Sequence, residues 1–202
     1  MNSSASTSHT VPYKLIQINA DTLTPISIFQ RLKGTKKFLL ESSYQHEAKG
    51  KYSYIGLNPY QEIIGYRNQT FLIDHQSGTK TPIKQNALTY IRDHLPNMKL
   101  DLPLPFTGGA VGYVAYDAIR QFANIGPELE DDLQMPDIHL MVYKQLIIFE
   151  HVNETVHLLA INVDHESEEK LDQSLKKLKQ ALQENIMMTE LEDTPIQFEP
   201  DI

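Results

Sequence analysis

Residues 51–74, KYSYIGLNPYQEIIGYRNQTFLID, decide the fold class. They hold three runs rich in β-branched and aromatic residues, around 51–56, 60–66 and 70–74, with Asn58-Pro59 and Arg67-Asn68-Gln69 as the turns between them. Connections this short join antiparallel neighbours, because a parallel crossover needs a dozen residues or more. Upstream, Lys14-Leu15-Ile16-Gln17-Ile18 reads as a first strand and Asp21-Thr22-Leu23-Thr24-Pro25 as a helix start. Thr24 is placed to cap that helix, and Pro25 at its first position lacks only a donor that would be orphaned anyway. Ile28, Phe29 and Leu32 point inward from it, and Gly34 stops it. Phe38-Leu39-Leu40-Glu41-Ser42 is a short buried strand followed by a polar loop over 43–50.

Downstream, Gln76-Ser77-Gly78 closes the three-strand set, and Ala87, Tyr90, Ile91, His94 and Leu95 share one face of a helix expected over 84–95. A proline-rich connection from Pro96 to Pro105 leads to Gly108-Gly109-Ala110-Val111-Gly112-Tyr113. The acidic stretch 124–137 reads as loop. A long hairpin follows, with arms Ile138–Glu150 and Thr155–Asn162, and then a helix with Leu171, Leu175, Leu178, Leu182 and Ile186 on one stripe. This order is α+β, with mainly antiparallel sheets and flanking helices. Residues 1–10 read as a flexible leader, 11–188 as one domain, and 189–202 as an acidic irregular segment.

Composition narrows the function. The chain has 202 residues and a formal charge of −8, from 18 Lys+Arg against 26 Asp+Glu. Without a basic stripe, nucleic acid is a poor partner, since phosphate neutralisation supplies most such affinity. The absence of Cys removes disulfides, thiolate nucleophiles and Cys-based metal sites, and fits a reducing, cytoplasmic setting. No apolar run approaches a membrane span, Leu146-Ile147-Ile148-Phe149 being typical of the longest. Met1 to Thr10 lacks both the basic and the apolar part of a signal peptide.

No phosphate-binding P-loop, zincin or calcium-loop motif occurs. His151 and His157 straddle the hairpin turn and read as a surface pair, because two imidazoles without a third ligand make a poor metal site. Gly108, Gly109 and Gly112 lead into strand-like sequence rather than a helix, so close backbone approach explains them better than phosphate binding. The informative pair is Leu39-Leu40-Glu41-Ser42 with Lys51-Tyr52-Ser53-Tyr54-Ile55-Gly56. Strand alternation places Lys51, Ser53 and Ile55 on one face, with Tyr52 and Tyr54 on the other. If the strands pair, Glu41, Ser42, Lys51 and Ser53 meet at one corner. Such a corner has the groups that hold a free amino acid, an anion for its ammonium and a cation for its carboxylate. A structural Glu–Lys pair at a sheet rim uses the same residues.

Asp21–Pro25, Phe38–Ser42, Lys51–Pro59 and Phe106-Thr107-Gly108-Gly109-Ala110-Val111-Gly112-Tyr113-Val114-Ala115-Tyr116-Asp117 occur in that order. Together they resemble the N-terminal region of anthranilate synthase component I, a chorismate-utilising enzyme. The large subunit of aminodeoxychorismate synthase is a close relative of that family, and a non-enzymatic amino-acid-binding module is the reading from another class. The resemblance implies two large packed antiparallel sheets with helices outside. It implies Mg2+-dependent addition of ammonia to chorismate, with release of pyruvate and with ammonia from a glutamine amidotransferase subunit (component II). The family's chorismate and metal residues lie in a C-terminal half without counterpart in these 202 residues. The chain is therefore expected to be inactive alone, with no catalytic or metal residue of its own and 189–202 as a linker toward that half. What the resemblance does place here is an L-tryptophan feedback site at Glu41, Ser42, Lys51, Tyr52 and Ser53. Lys51 stands where the family more often has Arg, keeping the charge and losing the bidentate fork.

Overall fold

In the computed structural model, which describes residues 11–41, 50–67, 69–95, 98, 100–121, 123, 126 and 133–184, the quoted stretch forms β3 (Tyr52–Gly56), β4 (Gln61–Tyr66) and β5 (Gln69–Asp74). Before them come β1 (Tyr13–Asn19), α1 (Pro25–Arg31) and β2 (Phe38–Glu41). After them come β6 (Thr79–Ile83), α2 (Ala87–His94), β7 (Gly109–Val114) and a 3-10 helix over Tyr116–Gln121. The chain continues through β8 (Ile138–Tyr143), β9 (Gln145–Glu150), β10 (Thr155–Ile161) and α3 (Glu168–Gln183). The strands make two five-stranded sheets, ordered β1-β10-β9-β3-β2 and β6-β5-β4-β8-β7, with antiparallel pairing throughout. The α+β expectation is met.

The hairpin arm read as one strand over 138–150 is two. It breaks at Lys144, so that Ile138–Tyr143 pairs in the second sheet and Gln145–Glu150 in the first. Its neighbour breaks at the same level, between β3 and β4, where Asn58 adopts φ 51° ahead of Pro59. Both antiparallel arms thus change sheets together, which is how packed sheets make a corner. Strand β6 was hidden in the sequence by Pro82 and by polar residues. It is an edge strand, the one place in a sheet that tolerates a missing donor.

Local chemistry fixes the helix starts. Thr24 Oγ1 accepts from the Ser27 N–H at 3.1 Å, and Ser27 Oγ accepts from the Thr24 N–H at 2.8 Å. This is a reciprocal cap over the first turn. Helix α2 begins at Ala87, later than the expected 84, because the Asn86 side chain accepts from the Thr89 N–H and marks the true cap.

The run Leu146–Phe149 is apolar at every position because both faces of the first sheet are covered. Ile147 and Phe149 join Val156, Leu158 and Ala160 under Ile28 of α1, Leu32 that caps its C-terminus, and Leu171, Leu175 and Leu182 of α3. Ile148, Leu159 and Ile161 face the second sheet, with Ile63, Val142 and Tyr143. Ile186, expected on the α3 stripe, lies outside the described residues.

Candidate functional site

The strands β2 and β3 pair as the corner requires, with Leu40 opposite Tyr54 and Glu41 opposite Ser53. Residues directly opposite in an antiparallel pair share a face. Ser53 is also opposite Phe149 of β9, so Glu41 and Ser53 lie on the helix-bearing face of the first sheet. Glu41 is exposed, whereas Ser53 is fully buried. The Ser53 hydroxyl lies 3.5 Å from Glu41 Oε1 and 2.8 Å from His151 Nε2. The His151 ring is tilted against Phe149 at 4.9 Å, and its backbone N–H donates to the Lys51 carbonyl at 2.9 Å. A side chain this buried serves Glu41 from behind.

His151 escaped the sequence reading, which set it beside His157 as a surface pair. The two have separate partners. His157 is buried and contacts Glu150 at 3.2 Å and Gln17 at 3.2 Å. The available signal was register: a residue two beyond Phe149 reaches the face of Ser53 once β9 is known to pair with β3.

Lys51 departs from the expected alternation. It precedes β3, and its ammonium contacts Glu150 Oε1 at 3.1 Å and sits 5.2 Å from the centroid of the Tyr52 ring. Glu150 is opposite Tyr52 in the ladder, hence on the other face from Ser53. Lys51 is therefore paired with Glu150 rather than with Glu41. The reason is electrostatic: Glu150 is only 8% exposed, and a carboxylate so buried needs a cation. Burial pushes the Glu150 carboxyl up, and hydrogen bonds from Lys51 and His157 outweigh it, holding the group below the ordinary range. Tyr52 belongs to the same group, its hydroxyl 3.5 Å from Glu150 and 3.4 Å from the Pro103 carbonyl. Tyr54 packs edge-on against Phe106 between the sheets. The end of the β2–β3 pair thus offers an exposed carboxylate on one face and, beside the other, a half-exposed ammonium already shared with a carboxylate. Ser42 lies outside the described residues.

The three glycines differ in their reasons. A Cβ on Gly112 would lie 2.0 Å from the His139 carbonyl oxygen of β8, a backbone atom. On Gly108 it would meet Ile161 Cδ1 at 2.6 Å and Met98 Sδ at 3.1 Å. Gly109 has room, with Phe106 at 3.6 Å, but holds φ +139°, a conformation L side chains rarely adopt.

A second polar cluster carries no motif. Glu62 of β4 is fully buried and contacts His75 at 2.5 Å and His139 at 2.7 Å, as well as the Lys36 ammonium. Burial pushes this carboxyl up, but the hydrogen bonds from Lys36, His139 and His75 and the Lys36 charge bring it down to about 2. The Lys36 backbone, at φ 50°, accepts from the Tyr143 hydroxyl at 2.6 Å, and burial pushes that phenol up to about 12. Together these contacts tie the loop ahead of β2 to the second sheet.

Among the described residues no group of three or more His, Asp or Glu side chains is placed to hold a metal ion. The Mg2+ that the resemblance implies for a whole enzyme finds no ligand set there. Also among the described residues, no helix is long and apolar enough to cross a membrane.

Comparison with known proteins bears on what this geometry serves. The family model for chorismate binding enzymes matches residues 35–201. Anthranilate synthase component 1 of Lactococcus lactis is 33% identical over 184 residues, which are 89% of this chain and 39% of that protein. The Acinetobacter calcoaceticus protein of the same name is 35% identical over 81% of this chain and 35% of its own length. In the crystal structure of anthranilate synthase component I from Streptococcus pneumoniae, 37% of that chain superposes on 83% of this one, at 30% identity and a TM-score of 0.60. The chain thus spans well under half the length of these relatives. On these matches and on its two antiparallel sheets, the chain belongs to the chorismate binding enzyme family, with anthranilate synthase component I among its relatives.

Proposed function

We propose that this chain is the effector-binding portion of an anthranilate synthase component I, with free L-tryptophan as the effector. The observation that carries the reading is the exposed carboxylate of Glu41 set against Ser53 across the β2–β3 pair. The effector's ammonium binds Glu41, beside the buried Ser53 hydroxyl. Lys51, which precedes β3 and is half-exposed, must leave Glu150 and swing round to the Glu41 side for its ammonium to meet the effector's carboxylate, helped by the Ser42 hydroxyl. Binding favours a less active arrangement of the whole enzyme, to the extent that the effector binds that arrangement more tightly. The reaction so regulated is the conversion of chorismate and ammonia to anthranilate and pyruvate. A glutamine amidotransferase subunit supplies the ammonia, and sequence outside these 202 residues supplies the Mg2+ ligands. By itself the chain is inactive.

The chain contains no Trp, so any indole fluorescence in a titration belongs to added ligand. Saturable binding of L-tryptophan to the whole protein is expected. Glu41→Gln and Ser42→Ala should each weaken it by about 1–3 kcal/mol, the cost of a polar ligand group left without its partner. Unchanged affinity in both variants overturns the site, and no binding in the parent protein overturns the function.

A further inference from the structure

We infer that His151 is a further residue of this amino-acid site, acting through Ser53, and that its protonation sets how strongly Glu41 receives an ammonium group. The inference rests on the reading above. His151 does not touch the ligand; it is a positioning residue. Its Nε2 is 2.8 Å from Ser53 Oγ, whereas Glu41 Oε1 is 3.5 Å from the same oxygen, so the hydroxyl proton has two acceptors at unequal distance. With the imidazole neutral and protonated on Nδ1, Nε2 accepts the Ser53 proton and the Glu41 oxygens are left for the ligand. When the imidazole takes a second proton, its Nε2–H donates to Ser53 Oγ. The hydroxyl proton then turns to Glu41, and a positive charge stands one hydroxyl away from the ammonium site. Both changes disfavour an ammonium on Glu41.

Among the described residues, the charged groups around this imidazole are few. Glu41 approaches from β2 and shares its face. Lys51, Glu150 and His157 engage one another at the other face of the sheet. The β1–α1 connection packs on the hairpin turn through the Ala20 N–H to the Glu154 carbonyl, and the carboxylates of Asp21 and Glu154 there are exposed. Among side-chain types, imidazole is the one whose charge changes in the neutral range. A free α-amino acid keeps both its charges over most of that interval.

The experiment is a calorimetric titration of the whole protein with L-tryptophan at pH 5.5, 6.5 and 8, on the parent and on His151→Gln, His151→Ala and His157→Gln. For the parent, affinity should fall about tenfold from pH 8 to pH 5.5 if protonation of the imidazole turns the Ser53 hydroxyl toward Glu41. His151→Gln retains an acceptor for Ser53 and should bind nearly as the parent does at pH 8, with the pH dependence gone. His151→Ala frees the hydroxyl to turn to Glu41 and should bind about two- to tenfold more weakly at every pH. His157→Gln should keep the parent's profile. A His151→Gln profile that still falls tenfold, or a His151→Ala affinity equal to the parent's at pH 8, overturns this inference and leaves the effector site standing. A parent that binds no tryptophan at any pH overturns both.

Discussion

Substituting Glu62 by Gln should lower stability at neutral pH and remove a large part of the chain's sensitivity to acid. The carboxylate is fully enclosed and is met by Lys36, His75 and His139 from three separate segments. Its pKa falls from 4.5 to about 2, even though burial acts in the opposite direction. At 1.36 kcal/mol per decade of proton affinity, that gap corresponds to roughly 3 kcal/mol. Lys36 and His75 are each more than a third exposed, so water and salt screen them, and about 2–3 kcal/mol is the better expectation. The sign follows from linkage. A carboxyl depressed in the folded state stabilises it fully above the unfolded pKa of about 4.5, and the contribution is lost as pH falls toward about 2. Urea unfolding followed by far-ultraviolet circular dichroism, at pH 7, 4.5, 3.5 and 2.5, gives both quantities. Glu62→Gln keeps an acceptor and the volume but not the charge. It should be less stable by about 2–3 kcal/mol at pH 7, and the difference from the parent should shrink steadily below pH 4.5. Other depressed carboxyls, such as Asp74 and Glu150, cancel in that difference. A variant as stable as the parent at pH 7, or a difference that stays constant down to pH 2.5, would refute the reasoning.

Two further substitutions test the packing. Gly112→Ala drives a Cβ into the His139 carbonyl oxygen, which cannot give way without parting β7 from β8. A loss of about 2–3 kcal/mol is expected in urea unfolding, at the upper end of overpacking costs, with early amide exchange along Gly109–Val114. Tyr143→Phe removes the donor to the Lys36 carbonyl from a site only 1% exposed. It should cost about 1–2 kcal/mol, and in a double-mutant cycle with Glu62→Gln the two losses should fail to add, because both act through Lys36.

The parts of the fold legible in the sequence were those set by neighbours along the chain. The Thr24 cap, the α3 leucine stripe, the short turns around Asn58-Pro59 and the buried strand Leu146–Phe149 each depend on periodicity or on residues a few positions apart. The β2–β3 pairing that brings Glu41 to Ser53 entered the sequence reading as a condition, and the structure meets it. The orientation of Lys51 was not. Alternation holds only inside a strand, and Lys51 stands just outside β3, where a buried carboxylate on β9 claimed its charge. His151 was missed because its partner, Ser53, lies 98 residues away in the chain.

By itself the sequence determined most of the strands and helices, β6 and the break at Lys144 excepted, the antiparallel pairing, and which family's motifs stand in which order. Those properties follow from local periodicity, turn chemistry and residue identity. Only the tertiary structure decided that the two long arms break at Lys144 and beyond Gly56 to serve two sheets, and that Lys51 answers to Glu150. It alone gathered Lys36, His75 and His139 on Glu62 and set His151 behind Ser53. A buried charge or hydroxyl takes whichever partner the packed sheets bring within about 3 Å, and no spacing along the chain encodes that proximity.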